Sequence, residues 1–469
     1  MANRRNPRHL HLNIIFQLLA LLSHSSALFS PPDNHLISCG SLTPTTLDDH
    51  RIFLPDASCL ISDNPISISA DANPPLQSHT YASLYKSARV FTSPSSYEFH
   101  ISNKGTHIVR LHFYPFSTHS HDLASAHFHV VASGFVLLSN FTASSDSPMK
   151  EFILKADAEK LVIFFVPVDS SSFAFVNAIE VISAPADLVE DRARLVQADQ
   201  VLSFDGLSKL AMEIMFRINV GGPKVTPFND TLWRTWAPDT EFFYSNSIAK
   251  NVSFSGRIVY QRYGPSREVA PDSGYNTARI IDVVNSSELS SRMTWKFPVD
   301  HGYKYLIRLH FCDIASLALN ELYFNVFING HLAYENFDIS SATVQVLASP
   351  YYVDFVADVG ISDFLFVSIG PSRFVGHSRV DGLLNGLEIM KLNNTVGSLD
   401  GVLPFALVLH SSRGGFSTVI RSLICWSAFV MLSAVGFMLI LRRRAESRNR
   451  IAWSPLPMDV KIAKGGQFA

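Results

Sequence analysis

Cysteine is scarce in this sequence, and so is an excess of charge of either sign. Only four cysteines occur in 469 residues, so the fold must rest on hydrophobic cores rather than on a disulfide framework. The formal net charge is −2, with 17% charged residues, which leaves no basic excess to neutralise phosphates. We therefore expect no nucleic-acid partner.

Motifs that mark enzymes are missing as well. The sequence has no glycine-rich phosphate loop, no Gly-x-Ser-x-Gly elbow, no His-Glu-x-x-His helix and no EF-hand loop. We expect no catalytic residue and no cofactor. A sandwich-fold glycan hydrolase is the minor alternative, and it would need two carboxylates facing each other in one cleft.

Histidine is concentrated in one stretch, with seven between positions 100 and 129. His127 and His129 would share one face of a strand, and His119 and His121 would lie in the loop before it, so a metal site is conceivable. No nearby set of cysteines or carboxylates completes a coordination shell. We therefore expect surface histidines and no metal.

Aromatic and β-branched residues are what the sequence has in plenty. Aromatics make up 12% of the chain, including 35 Phe, and the long segments are rich in residue types that favour strands over helices. The apolar runs are short, alternate with polar residues and are separated by Gly, Pro, Ser, Asn and Asp. This pattern is typical of an antiparallel sandwich or jelly roll, and it predicts an all-β fold.

Two segments direct the chain to a membrane. Arginines precede an apolar run and a small-residue cleavage pattern, which predicts a signal peptide at 1–27. The uncharged run 423–441 is long enough to cross about 30 Å of hydrocarbon as a helix. Arg442 and the basic residues after it place the short tail, 442–469, in the cytoplasm. We expect a single-pass type I protein of the plasma membrane with an extracellular ectodomain.

The cysteines and the glycosylation motifs are consistent with an extracellular ectodomain. Cys39 and Cys59 are close in sequence and form the expected disulfide. Cys312 lies in an apolar run and is expected to be a buried free thiol, and Cys425 falls inside the predicted span. Five sequons on the predicted outer side are expected glycosylation sites: Asn140, Asn229, Asn251, Asn285 and Asn393.

The outer part of the chain contains a long internal repeat. The block at 107–113 (HIVRLHF) recurs at 305–311 (YLIRLHF), and that at 177–182 (NAIEVI) recurs at 385–390 (NGLEIM). Copies lie about 190 to 210 residues apart, too far for a solenoid unit, so a whole domain is duplicated. We predict the two domains at 33–183 and 213–393, called the first repeat and the second repeat below.

Two further segments connect these parts. Residues 184–212 are richer in charge, and the helical spacing within 187–195 predicts a linker with a short helix. Residues 394–422, rich in Ser and Gly near their end, are predicted to be a stalk of low structure before the membrane span.

Aromatic residues after the repeated strand are the candidate ligand-binding residues. The first repeat continues as Phe113-Tyr-Pro-Phe116, and an exposed Tyr114 or Phe116 could stack on a sugar or hold a peptide. The second repeat has a different sequence there, so the platform is not repeated. The alternative is that Phe113 and Phe116 fill the interior of the sandwich.

Several of these blocks together resemble the ectodomain of the plant malectin-like receptor kinases of the FERONIA and THESEUS type. The likeness runs from Leu36 to Lys391 and is carried by LISCG at 36–40, INVGG at 218–222, WRTW at 233–236 and RLHFCD at 308–313. It implies two tandem malectin-like β-sandwich domains followed by one transmembrane helix. It also implies a ligand that is a cell-wall polysaccharide or a secreted RALF-like peptide, with a GPI-anchored co-receptor. Tyr114 and Phe116 are the local counterparts of the aromatics with which animal malectin holds glucose.

The resemblance predicts a receptor-like cell-surface protein concerned with the cell wall and growth. Relatives of this type carry a kinase domain, which needs two lobes with a lysine, a catalytic aspartate and a metal-binding aspartate. The tail at 442–469 is too short for one, so we expect no enzyme activity from this chain. The alternatives are a kinase-less partner or decoy, and a fragment of a full receptor-like protein kinase.

Overall fold

Short strands account for most of the secondary structure of the first repeat. The structure is a computed structural model, and it describes residues 29–70, 80–244, 249–282, 292–372 and 380–411. The strands from the first repeat are β1 (Asn34–Ser38), β2 (Thr45–Thr46), β3 (Ile52–Pro55), β4 (Leu60–Ile61), β5 (Ile66–Ser69), β6 (Ser87–Phe91), β7 (Ser95–His100), β8 (Gly105–His112), β9 (Phe128–Ala132), β10 (Phe135–Phe141), β11 (Met149–Ala156), β12 (Lys160–Pro167), β13 (Ala174–Val176) and β14 (Ala178–Ser183).

The rest of the described chain is built in the same way. The following strands are β15 (Arg192–Val196), β16 (Val201–Asp205), β17 (Met212–Asn219), β18 (Ala237–Pro238), β19 (Ala249–Ser253), β20 (Thr277–Asp282), β21 (Met293–Pro298), β22 (Lys304–Cys312), β23 (Tyr323–Ile328), β24 (His331–Asp338), β25 (Pro350–Asp358), β26 (Phe364–Pro371), β27 (Val380–Leu384) and β28 (Gly386–Leu392). The α-helices are α1 (Asp272–Tyr275), α2 (Ile339–Ala342) and α3 (Phe405–Ser411). Single 3₁₀ turns lie at Asp56–Ser58, Leu84–Lys86, Leu123–Ser125, Leu207–Lys209, Pro227–Asn229 and Asp239–Glu241.

Each repeat has its own hydrophobic core between two sheets. Strand β21 illustrates the pattern, because Met293, Trp295 and Phe297 are buried while the residues between them are half exposed. The first core lies between β8, β11 and β14 on one side and β7, β9, β10 and β12 on the other. The second lies between β17, β22, β25 and β28 and the four-stranded sheet β21-β26-β23-β24. The predicted all-β character is confirmed.

One large sheet runs through both repeats. Its order is β16-β15-β25-β22-β28-β17-β11-β8-β14-β1-β3-β2, with β18 beside β17. The seam is the antiparallel pair of β11 and β17, where Phe152 faces Glu213 and Ile153 faces Met212. A third apolar cluster, with Ile108, Met212 and Leu306 among its members, packs at this seam. The repeats are therefore joined by backbone pairing as well as by side chains.

The duplication extends to a buried glutamate–histidine pair, whereas the arginine bound to the glutamate comes from a different position in each repeat. In the first repeat the Glu180 carboxylate receives Arg110 Nη1 at 2.8 Å and His112 Nε2 at 3.0 Å. In the second repeat the Glu388 carboxylate receives Arg217 Nε at 2.8 Å and His310 Nε2 at 3.1 Å. All these side chains are less than a tenth exposed, so each charge is compensated where water cannot reach it.

The prediction of a helix in the linker is wrong. Residues 192–205 form the hairpin of β15 and β16, and β15 pairs in parallel with β25 of the second repeat. The open edge of β25 offers unpaired backbone groups, and pairing with them satisfies the β15 backbone as well as a helix would. The apolar residues that suggested a helix, Leu188, Val189 and Ala193, are buried in the seam cluster.

The first part of the predicted stalk is folded. Residues 394–411, called the C-terminal strap here, leave the second repeat and lie against the first. Val136 N donates to Gly397 O at 3.0 Å, and Leu399 N donates to Val136 O at 2.9 Å. The Leu399 side chain is fully buried in the first core, and Val408 of α3 packs on Val136.

Neither predicted membrane-targeting segment can be compared with the structure. The signal peptide at 1–27 and the span at 423–441 lie outside the described residues. Among the residues that are described, no helix has the length and apolar character needed to cross a membrane.

Candidate functional site

A cleft of about 1280 Å³ lies beside the second repeat. Its walls come from three segments: 186–194 of the linker, 260–268, and 342–354, which includes the start of β25. Four arginines, four carboxylates and four tyrosines line it. This mixture of aromatic and charged groups is suited to a polar ligand rather than a purely apolar one.

The 260–268 segment is held in place from both sides. Asp187 accepts hydrogen bonds from Ser266 N at 2.8 Å and Ser266 Oγ at 3.0 Å. Tyr260 donates its hydroxyl to Asp272 at 2.7 Å, and burial together with that carboxylate raises the pKa of Tyr260. This wall of the cleft is therefore a preformed surface.

A buried ion pair supports the opposite wall. Arg308 donates to both carboxylate oxygens of Asp354, at 2.8 and 2.7 Å, and its guanidinium lies 4.2 Å from the Tyr352 ring centre. Burial raises the pKa of Tyr352, so the phenol stays protonated and donates to the Asp187 carbonyl at 3.1 Å. Asp354 itself lies in β25.

The rim of the cleft presents exposed aromatic and cationic groups. Tyr263 is 92% exposed, and the Arg262 guanidinium lies 5.6 Å from its ring centre. Arg262 forms no ion pair with any other residue that the structure describes. An exposed tyrosine beside an uncommitted guanidinium is the kind of pair that anchors ligands at protein surfaces.

The loop from α2 to β25 has a strained backbone. Val344, Gln345 and Ala348 have φ angles of 49°, 59° and 52°, a region that side chains with a Cβ seldom occupy, least of all a β-branched one. Val344 is also 71% exposed and lines the cleft. Such strain tends to accumulate at ligand-binding segments.

The predicted aromatic platform lies elsewhere, in the first repeat. Tyr114 is buried and stacks on Tyr85, with ring centres 5.1 Å apart and an angle of 13° between the rings. Phe116 is half buried and packs on the two neighbouring apolar clusters, and Phe113 is in the first core. Phe116 retains a partly exposed face, whereas ligand contact by Tyr114, still a prediction, would require its ring to leave Tyr85.

The cysteines of the described residues are free thiols. Cys39 is buried and Cys59 is partly buried. Burial, reinforced by Asp56, raises the pKa of both thiols, that of Cys59 to about 12. Their disulfide is not formed in the structure and stays a prediction. Cys312 is the buried free thiol that was expected.

Four of the five sequons lie in described segments. Asn140, Asn229 and Asn251 are exposed. Asn393 is half buried; its Oδ1 accepts from Ala211 N at 2.8 Å and its Nδ2 donates to Asn394 O at 2.9 Å. Asn285 lies outside the described residues. Glycosylation of all five stays a prediction.

The histidine-rich stretch is divided between surface and interior. His119 and His127 are exposed and His121 is half buried, but His107 and His112 are fully buried, so the expectation of surface histidines is wrong for these two. The buried pair is bound to carboxylates, His107 to Asp33 at 3.2 Å and His112 to Glu180. Across the described ranges, no group of three or more His, Cys, Asp or Glu is placed to hold a metal ion.

Comparison with known proteins agrees with this architecture. The malectin-like domain family matches residues 37–392, which include both repeats and all the walls of the cleft except Phe29. The chain belongs to the malectin-like family.

The curated relatives of this malectin-like chain are plant receptor kinases. A probable receptor-like protein kinase of Arabidopsis thaliana is 42% identical over 462 residues, which cover 96% of this chain and 54% of that protein. The receptor-like protein kinase THESEUS 1 of the same plant is 39% identical over 400 residues, which cover 84% of this chain and 46% of that protein. The chain thus spans about half the length of these relatives and aligns with their ectodomain half.

Solved malectin-like ectodomains share the fold. The ANXUR1 extracellular domain from Arabidopsis thaliana matches with a TM-score of 0.71 and 32% identity, over 79% of this chain and 100% of that one. A structure of the plant peptide RALF23 in complex with FER and LLG2 contains a chain that matches with a TM-score of 0.68 and 29% identity, over 80% of this chain and 99% of that one.

Reasoning from sequence missed the cleft of this malectin-like chain. Its walls are brought together by the β15–β25 pairing, which the predicted helix would not make. The one usable signal was local: residues 260–268 read YQRYGPSRE, a loop sequence in which two tyrosines alternate with arginines. Exposed loops that carry aromatic and arginine residues are more often functional than structural.

Proposed function

We propose that this chain is the recognition part of a single-pass plasma-membrane receptor-like protein. In this proposal the sandwich domains at 33–183 and 213–393 are extracellular, and the segment at 423–441 is the transmembrane helix. The ligand is a secreted peptide of the RALF type, bound together with a GPI-anchored co-receptor. Membership of the malectin-like family and the likeness to the FER chain in its RALF23 complex support this proposal.

In this proposal the ligand binds in the cleft. The main support is the pair of exposed side chains at its rim. Tyr263 is almost fully exposed, and Arg262 beside it has no carboxylate partner among the described residues. Covering an exposed aromatic ring with a partner removes apolar surface from water, which favours binding. Tyrosine and arginine are also among the residues that contribute most to binding energy at interfaces.

A cell-wall polysaccharide is the second candidate ligand. Tyr263 could stack on a sugar ring in the manner of other carbohydrate-binding aromatics, and the half-exposed Phe116 offers a second, smaller surface in the first repeat. A hydrolase is not favoured, because Asp187 and Asp354, two of the carboxylates in the cleft, are already committed to Ser266 and Arg308.

Binding experiments on the purified full-length chain test the proposal. RALF23 with and without LLG2, pectin fragments and glucose oligosaccharides would each be titrated by calorimetry. We expect RALF23 with LLG2 to bind, and the double variant Arg262→Ala/Tyr263→Ala to weaken binding at least tenfold. The matched control is Lys224→Ala/Phe228→Ala, which removes an exposed cation and an exposed aromatic ring that do not line the cleft. Absence of binding by all of these ligands would overturn the receptor proposal, and undiminished binding by the cleft variant would overturn the assignment of the site.

A further inference from the structure

One carboxylate in the cleft, that of Glu268, has no partner among the residues that the structure describes. Two of the four carboxylates that line it are hydrogen-bonded, Asp187 to Ser266 and Asp354 to Arg308, and Glu190 is exposed to solvent. Glu268 is only 7% exposed, yet its side chain makes no hydrogen bond or ion pair with another described residue. Glu268 lines the cleft, and glutamates with so little exposed surface are normally paired with a cation.

The backbone on both sides of Glu268 is held in place by hydrogen bonds. Ser266 is bound to Asp187 on one side, and the Val269 carbonyl accepts from Arg234 Nη1 at 3.1 Å on the other. Arg267 lies over the Tyr260 ring at 4.7 Å and contacts Asp272 at 3.4 Å. The loop therefore holds the Glu268 side chain at the wall of the cleft.

The arginines around the cleft interact with other residues, and none of those described forms an ion pair with Glu268. Arg267 pairs with Asp272, Arg192 pairs with Asp205, and Arg194 lies over the Tyr334 ring at 4.0 Å. Arg234 is bound to Asp230, and although its Nη2 has no partner among the described residues, it makes no ion pair with Glu268. Arg262, the remaining arginine of the cleft, lies against the exposed Tyr263 ring and makes no ion pair with Glu268 either. No cation that the structure describes therefore occupies the position beside this carboxylate.

We infer that Glu268 forms a pocket for a basic side chain, an arginine or lysine of the bound peptide. This inference rests on the proposed function and narrows its ligand. A guanidinium or ammonium would supply the missing counter-charge through charge-assisted hydrogen bonds, and Tyr260 and Tyr352 supply the flanking aromatic walls. A polysaccharide rich in uronic acid would instead bring a second negative charge to a buried carboxylate.

Two synthetic octapeptides test the charge directly. One is a Gly/Ser peptide with two central arginines, and the other carries citrulline, a neutral isostere of arginine, at the same positions. Their dissociation constants would be measured by fluorescence anisotropy on the full-length chain and on Glu268→Gln. The matched control is Asp157→Asn, which removes one negative charge from an exposed side chain of the first repeat. We expect the arginine peptide to bind the wild type and Asp157→Asn equally, and Glu268→Gln and the citrulline peptide each to weaken binding at least tenfold.

Other outcomes would overturn the inference. Equal binding of both peptides, equal binding to Glu268→Gln, or no binding to the wild type would each do so. If Glu268→Gln lowers the free energy of unfolding measured in urea, the carboxylate has a structural partner such as Arg234, and the pocket is rejected. If RALF23 with LLG2 binds Glu268→Gln as well as the wild type, this inference fails while the proposed function stands.

Discussion

Arg217 donates from Nη2 to Glu151 Oε1 at 2.7 Å and thereby connects the two repeats. The same guanidinium donates from Nε to Glu388 at 2.8 Å, and Glu151 also receives Arg110 Nε at 2.6 Å. One continuous chain of buried charges therefore crosses the seam, from the polar cluster of the first repeat to that of the second. Removing any member leaves another charge without its partner.

Replacing Arg217 by Met should destabilise the protein strongly. The substitution keeps the apolar stem but leaves Glu151 and Glu388 short of a counter-charge, which typically costs about 3–5 kcal/mol in the free energy of unfolding. Urea denaturation followed by tryptophan fluorescence measures it. The control is Lys160→Met, which removes a cation from an exposed pair with Glu98 and should cause no measurable loss. Equal effects of the two substitutions would contradict the importance of the buried chain.

Stability should fall as the pH is lowered. Burial raises the pKa of Glu151, but Arg217 and Arg110 outweigh it and hold the pKa at about 2, below the ordinary value of 4.5. The unfolded state therefore binds more protons between these values, and folding free energy is lost as the pH falls through that window. Burial lowers the pKa of His112 and His310 below 6.5, so the loss begins below about that pH.

A pH series of urea unfolding curves measures this dependence. Glu151→Gln should be less stable than the wild type at pH 7, and its stability should change less between pH 5 and pH 3, because one of the titrating groups is gone. Wild-type stability that stays constant from pH 7 to pH 3 would contradict this account.

Shortening Leu399 should show that the C-terminal strap is part of the fold. Leu399 is fully buried in the first core, although it follows the second repeat in sequence. Leu399→Ala should lower the free energy of unfolding by about 2–5 kcal/mol, since it removes buried methyl groups and leaves a cavity. Leu407→Ala is the control: this leucine belongs to the same strap but is 56% exposed, so its loss should be within about 0.5 kcal/mol. Similar values for both leucines would mean that the strap does not dock.

Two glycines at equivalent places in the repeats should not tolerate alanine. Gly40 and Gly221 have φ angles of 76° and 70°, and a Cβ on them would lie 2.3 Å from Ala88 O and 2.4 Å from Ala278 O. Gly40→Ala and Gly221→Ala should each cost about 3 kcal/mol, combining backbone strain with overpacking. Gly134 has a φ of 84° but open space around it, so Gly134→Ala should cost about 1 kcal/mol. Thermal unfolding of the wild type and the three variants would measure these losses of stability.

The predicted N-glycosylation sites should differ in the fraction of molecules that carry a glycan there. Asn140, Asn229 and Asn251 present free, exposed side chains, whereas both ends of the Asn393 amide are engaged within the fold. Each Asn→Gln substitution at the three exposed sites should remove one glycan from the protein produced in plant cells, as seen by mass spectrometry of the intact chain. Asn393→Gln should leave the glycan mass unchanged. A glycan found on Asn393 of the wild type would show that glycosylation precedes the docking of this segment.

The sequence by itself determined the strands, the duplication and the family. Strand pattern and turn residues are local properties, and repeated blocks such as Arg-Leu-His-Phe are visible without coordinates. The burial of Cys312 followed from its apolar run, and burial of Phe113 was the alternative that strand alternation offered.

Only the tertiary structure decided how these parts meet. The segment around Ala193 has a helical pattern, yet it forms a strand, because the edge of β25 competes for its backbone. Leu399 was assigned to a stalk because the sequence around it does not show that its side chain completes the hydrophobic core of the first repeat. Glu268 was one charged residue in a polar loop, and its place inside a cleft depends on three segments, 186–194, 260–268 and 342–354, that are far apart in the sequence. Such long-range pairings are set by the sum of many weak contacts, which no short window of sequence contains.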